Sequence, residues 1–148
     1  MKKRLLIILL LLLLTGCKKE TITSDKFIST FKEYGFIVKN NISEYEKYDY
    51  MQETYIAASK DLSYQIEFFV FVDSEYAQKF YIINKDELAL NSFQAMVNEK
   101  NGSNYHRYEI MNDSNYALIS QIDNTIIYVN TSEYYQEELQ DFIQDIGY

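Results

Sequence analysis

The sequence predicts an α+β fold, an antiparallel sheet with helices packed mainly on one side of it. Three observations carry that expectation. Apolar side chains alternate through Tyr64, Ile66, Phe68, Val70 and Val72, the period of a strand. They recur as Tyr135, Leu139, Phe142, Ile143 and Ile146, the period of one helix face. Strand-like runs also come in groups divided by single helical stretches, which favours an antiparallel sheet over a parallel one.

Taken in order, the first helix starts at Thr23 or Ser24, whose hydroxyls can cap it, with Asp25 in the first turn. Phe27, Ile28, Phe31 and Tyr34 share one face, and Gly35 ends the helix. Residues 36–40 read as a short strand, and residues 43–50 (SEYEKYDY), charged and aromatic, read as a loop. Residues 51–59 and 63–72 form a hairpin around Lys60-Asp61-Leu62. In its second strand Phe69 and Phe71 oppose the alternating set, so this strand is central and covered on both faces.

Asp73 and Ser74 can cap the next helix, which carries Ala77, Phe80, Tyr81 and Ile83. Its apolar spacing continues through Leu88, Phe93, Met96 and Val97 until Asn101-Gly102-Ser103 stops it. Residues 105–111 are a strand, and residues 117–122 and 125–130 a hairpin with Asp123-Asn124 at its tip, residue types that tolerate positive φ. Ser132 caps the last helix, Glu137, Asp141 and Asp145 line its outer face, and Gly147 ends it. The order suggests a pseudo-duplicated unit of one helix and three strands, closed by the C-terminal helix.

Upstream of this domain the chain is of another kind. Lys2, Lys3 and Arg4 precede ten residues, Leu5 to Leu14, without a polar side chain. As a helix that run covers ~15 Å, about half of a ~30 Å hydrocarbon core, so it is too short to span one. A charged start, a short apolar stretch and the small residues Thr15 and Gly16 fit a secretory signal peptide. Leu14-Thr15-Gly16-Cys17 resembles the lipobox of bacterial prolipoproteins. The resemblance implies that the Cys17 sulfur receives a diacylglycerol and that cleavage falls between Gly16 and Cys17. The expected organisation is a signal over residues 1–16, a lipidated tether over 17–23 and one globular domain over 24–148. Architecture, composition and lipobox together resemble small lipoproteins of low-GC Gram-positive bacteria. That resemblance places the protein on the outer face of the cytoplasmic membrane.

Cys17 is the single cysteine, so no disulfide can form within the chain and packing must supply its stability. Beyond residue 16 there are 22 acidic residues against 11 basic, because three of the 14 basic residues lie in the leader. Such an acidic domain argues against nucleic acid as a partner. The 15 tyrosines and nine phenylalanines, with no tryptophan or proline, have two readings. One is a compositional bias shared with the frequent Asn, Lys and Ile. The other is a tyrosine-lined recognition surface, since tyrosine gives contact area at low entropy cost. Tyr45, Tyr48 and Tyr50, then Tyr105 and Tyr108, are the candidates for it.

Catalytic inventory is thin. His106 is the only histidine, a zinc site lacks ligands, and no phosphate-cradling or dinucleotide motif occurs. Glu44, Glu46, Asp49 and Glu53 keep a carboxylate-dependent envelope hydrolase open as the alternative. Asn112-Asp113-Ser114-Asn115 is oxygen-rich but reads as a turn, since it lacks the EF-hand spacing. The expectation is therefore a noncatalytic binding or interaction module, needing neither cofactor nor metal. Its contacts would be the membrane through Cys17 and a membrane protein, a peptide or an envelope polymer.

Overall fold

The computed structural model describes residues 18–90 and 94–148. Gly16 and Cys17, the cleavage and lipidation positions, lie outside the described residues, and so does Phe93. Among the described residues three α-helices pack against one seven-stranded antiparallel sheet. The elements are α1 (Ser24–Glu33), β1 (Ile37–Asn40), β2 (Met51–Ala58), β3 (Gln65–Phe71), α2 (Ser74–Leu90), β4 (Met96–Asn101), β5 (Tyr105–Met111), β6 (Asn115–Ile122), β7 (Thr125–Ser132) and α3 (Gln136–Asp145). The sheet order is β1-β2-β3-β7-β6-β5-β4. Two meanders thus meet at a seam where Phe68 of β3 faces Ile127 of β7.

The helix boundaries follow local chemistry. The Thr23 hydroxyl accepts from the Lys26 N–H at 3.2 Å, so Thr23 is the α1 cap. Gly35 follows α1 at φ +84°, a conformation glycine adopts without a Cβ penalty. Asp73 Oδ1 accepts from the Glu75 and Tyr76 N–H groups at 2.9 and 3.0 Å and opens α2. Ser132 caps a 3-10 turn over Glu133–Tyr135 that leads into α3. The β6–β7 hairpin turns at Asp123, whose φ is +48°. Another 3-10 turn, Ile42–Tyr45, overlaps the start of the stretch read as loop.

The sheet is covered on both faces. Phe27 and Phe31 of α1, with Leu139, Ile143 and Ile146 beside them, pack over Ile66, Phe68, Leu118 and Ile127. On the other face Ala77, Tyr81 and Leu88 of α2 pack over Phe69, Phe71, Ile119 and Ile126. Two helices therefore share one face and α2 covers the other. β3 feeds both cores by simple alternation, as its sequence pattern requires. Each fully buried Phe or Ile contributes roughly 1.5–3 kcal/mol relative to exposure, so these two layers dominate stability.

Two details differ from expectation. The helical spacing does not carry through to Val97: α2 ends at Leu90, and Met96 and Val97 start β4, an edge strand with every residue exposed. The second half therefore has four strands after its helix rather than three. The physical reason is pairing: β4 aligns residue for residue with β5, from Met96 opposite Met111 to Asn101 opposite His106. Ile83, one of the apolar residues of α2, is exposed, because the buried stripe runs through Ala77, Tyr81 and Leu88 at intervals of about one and two turns. No helix among the described residues is long and apolar enough to cross a membrane.

Candidate functional site

Odd and even positions of β5 part company across the sheet. Tyr108 and Ile110 enter the α2 core, whereas Tyr105, Arg107 and Glu109 line a cleft on the opposite face. The facing positions of β4 join them, since Lys100 pairs with Arg107 and Asn98 with Glu109. Gln140 and Gln144, one turn apart on α3, form the second wall. Lys19 closes the third side, and the cleft measures about 420 Å3.

Lys19 is held there by its backbone. Its N–H donates to Asn104 Oδ1 at 3.0 Å, and the Asn104 amide donates to the Lys19 carbonyl at 2.8 Å. The same amide and the Thr21 hydroxyl both reach Asp123 Oδ2, at 3.0 and 2.9 Å. Ile22 is 5% exposed and belongs to the core. Residues 19–22, expected to be tether, are thus bonded onto the domain.

Glu109 is the centre of the cleft. Its Oε1 accepts from Arg107 Nη2 at 2.7 Å, from the Tyr116 hydroxyl at 2.9 Å and from Gln140 Nε2 at 3.2 Å. Its Oε2 accepts from Asn98 Nδ2 at 3.0 Å. Burial on its own would raise the Glu109 pKa. The Arg107 bond and charge, with the donors Tyr116 and Gln140, outweigh burial and hold the carboxyl below its ordinary range. Burial and the Glu109 charge push the Tyr116 hydroxyl up, so it stays a neutral donor. Burial, then repulsion from Arg107 and Lys100, lowers the Lys19 ammonium. Arg107 Nε is buried without a hydrogen-bond partner among the described residues.

Three cations therefore surround one carboxylate in a chain of formal net charge −8. Chemically this is an anion-binding arrangement. Acid–base work near neutral pH needs a group that titrates there, and Glu109 and Tyr116 are both held away from it.

Of the sequence-derived candidates, Tyr105 lines this cleft and the others fall elsewhere. Tyr45, Tyr48 and Tyr50 do come together, on the α2 face, but as half-buried extensions of its core. Tyr45 meets Phe69 edge-on at 5.6 Å, Tyr48 lies 5.4 Å from Tyr50, and Tyr50 stacks on Tyr76 at 5.0 Å. Tyr105 and Tyr108 are not one surface. Three residues apart on a strand they point to opposite faces, and Tyr108 is 4% exposed beneath α2. His106 Nδ1 lies 2.8 Å from Asn101 Oδ1, and its ring sits against Tyr81.

Glu44, Glu46 and Asp49 are exposed, and Glu53 accepts from the Tyr55 hydroxyl at 3.2 Å. Asn112 Oδ1 accepts from the Ser114 and Asn115 N–H groups at 3.1 and 2.9 Å, a turn between β5 and β6. Among the described residues no three His, Cys, Asp or Glu side chains gather as metal ligands. Sequence reasoning missed Lys19, Lys100, Arg107, Glu109, Gln140 and Gln144. The spacing of Arg107 and Glu109, two apart in a strand, was the available signal.

Compared with known proteins, the chain matches no family model, and no curated protein or solved structure matches it.

Proposed function

We propose that this protein is a lipoprotein anchored through Cys17 on the outer face of the cytoplasmic membrane, with a noncatalytic binding domain whose working surface is the β4–β5–α3 cleft. One observation carries the binding reading: the cleft gathers Lys19, Lys100 and Arg107 around a carboxylate already saturated with donors. A carboxylate-dependent hydrolase needs one acid kept protonated beside a second, and Glu109 is held low instead. The anchored reading draws on the lipobox-like Leu14-Thr15-Gly16-Cys17 and on the docking of residues 19–22. Only Lys18 separates Cys17 from a backbone fixed to the domain, so lipid on Cys17 would hold the domain against the bilayer. Two acyl chains suffice for firm attachment, at ~0.8 kcal/mol per buried methylene.

The test is fractionation of full-length protein and Cys17→Ala after a carbonate wash. The wild type is expected in the membrane pellet and Cys17→Ala in the soluble fraction. Retention of Cys17→Ala in the pellet would refute the anchor.

A further inference from the structure

We infer that the cleft between β4, β5 and α3 binds a phosphate group, with Lys19 and Lys100 as its charged contacts and the amide of Gln144 completing the shell. The charge argument comes first. The chain is acidic, with a formal net charge of −8, yet Lys19, Lys100 and Arg107 converge on one depression that holds a single carboxylate side chain. That carboxylate already accepts from Arg107, Tyr116, Gln140 and Asn98, so it is committed to the fold. Lys19 and Lys100 have no acid of their own in the cleft. Burial first, and then the nearby charges of Arg107 and Lys100, lower the Lys19 ammonium.

The donor set selects the anion. Carboxylates are read best by the planar fork of a guanidinium. Arg107 is committed to Glu109 through Nη2 at 2.7 Å and its Nε is buried, so the fork formed by Nε and Nη2 is not open to a second carboxylate. Beside Arg107 stand two ammonium groups and the Gln144 amide, on separate walls. Point donors converging from several directions suit a tetrahedral anion with several acceptor oxygens, and lysine is a regular phosphate ligand in this manner. A cleft of about 420 Å3 falls in the range of small-ligand sites and exceeds what a bare phosphate fills, which favours a phosphate ester.

Two sources can supply that chemistry, a lipid headgroup or a soluble phosphate. Lys19 is two residues from Cys17, a reach of about 7 Å at full extension. The headgroup assignment rests on the anchored reading above; the phosphate chemistry does not.

The experiment uses full-length protein in a neutral detergent, titrated calorimetrically with inorganic phosphate and with dihexanoyl phosphatidylglycerol. The expected result is saturable binding, weakened at least roughly tenfold in Lys19→Ala/Lys100→Ala and unchanged in Lys79→Ala on the far side of the sheet. Lys100→Gln, on the exposed edge strand, serves as a second variant should the double change unfold. Binding of both probes assigns a soluble phosphate site, and binding of the lipid alone assigns a headgroup site. No saturation by either probe at millimolar concentration, or equal weakening in Lys79→Ala, overturns the inference. Intact phosphate binding with Cys17→Ala still in the pellet would sink only the anchor. Absent binding with Cys17→Ala released would sink only the cleft.

Discussion

Arg107 and Glu109, two residues apart on β5, form an ion pair at 2.7 Å with side-chain exposures of only 14% and 8%. The strand's period of two puts both on the α3 face. Their burial is tolerable because the carboxylate accepts from Tyr116, Gln140 and Asn98 as well. The pair thereby ties β4, β5, β6 and α3 at one point.

Breaking the pair from one side should be costly. Arg107→Ala leaves Glu109 charged, buried and short of its strongest donor, and urea denaturation should show a loss of about 3–5 kcal/mol. Arg107→Leu together with Glu109→Leu should recover much of that, because no buried charge is stranded. A single-variant loss below about 1 kcal/mol would contradict the pair's structural role.

The same carboxylate sets an acid limb. Glu109 titrates lower when folded than its unfolded value of about 4.3. The unfolded chain therefore binds more protons across that window, and stability falls as pH drops from about 4.3 through the folded value. Thermal melts from pH 6 to pH 2 should show this decline in the wild type and a flatter profile in Glu109→Gln.

Glu67 has the opposite sign. Burial raises its carboxyl despite the Gln65 amide bonded to it at 3.0 Å. The folded state then binds the extra proton, and stability is lost as pH rises from the unfolded value of about 4.3 through the raised one. Glu67→Gln should melt higher than the wild type at pH 7 and no higher at pH 3. Equal melting temperatures at pH 7 would show that burial does not strain this group.

The tyrosine trio should behave as core. Tyr45, Tyr48 and Tyr50 rest on Phe69, Tyr76 and one another, each contact adding about 0.5–1.5 kcal/mol beyond burial. Changing all three to alanine should lower Tm by about 10 °C or more in calorimetry. A Tm within a few degrees of the wild type would restore them as a free recognition surface.

Gly102 lies against the ring of Tyr105, a cleft residue. A Cβ there would sit 2.1 Å from Tyr105 Cε1, so Gly102→Ala must displace the ring that Lys19 overlies at 5.2 Å. The expected outcome is a loss of about 1–3 kcal/mol with altered Tyr105 ring resonances in NMR spectra. Unchanged resonances would mean that the turn yields instead of the ring.

How far each feature could be read depended on the range of the forces behind it. Thr23, Asp73, Asp123 and Gly147 were readable because caps and turns are decided within a few residues. The central position of β3 was readable too, since Ile66 and Phe68 alternate with Phe69 and Phe71 and demand cover on both sides. β4 was not. Its sequence, MVNEKN, has no alternating apolar pattern, and only its hydrogen bonds to β5 make it a strand. The cleft depends on that pairing, because Asn98 and Lys100 come opposite Glu109 and Arg107 only through the strand register. It also depends on Asn104 fixing Lys19 from 85 residues away. Local propensity determined the helices, the turns and the strand of strongest alternation. Long-range pairing decided which charges meet, because a charge on an exposed stretch carries no mark in its own neighbours of what it will face.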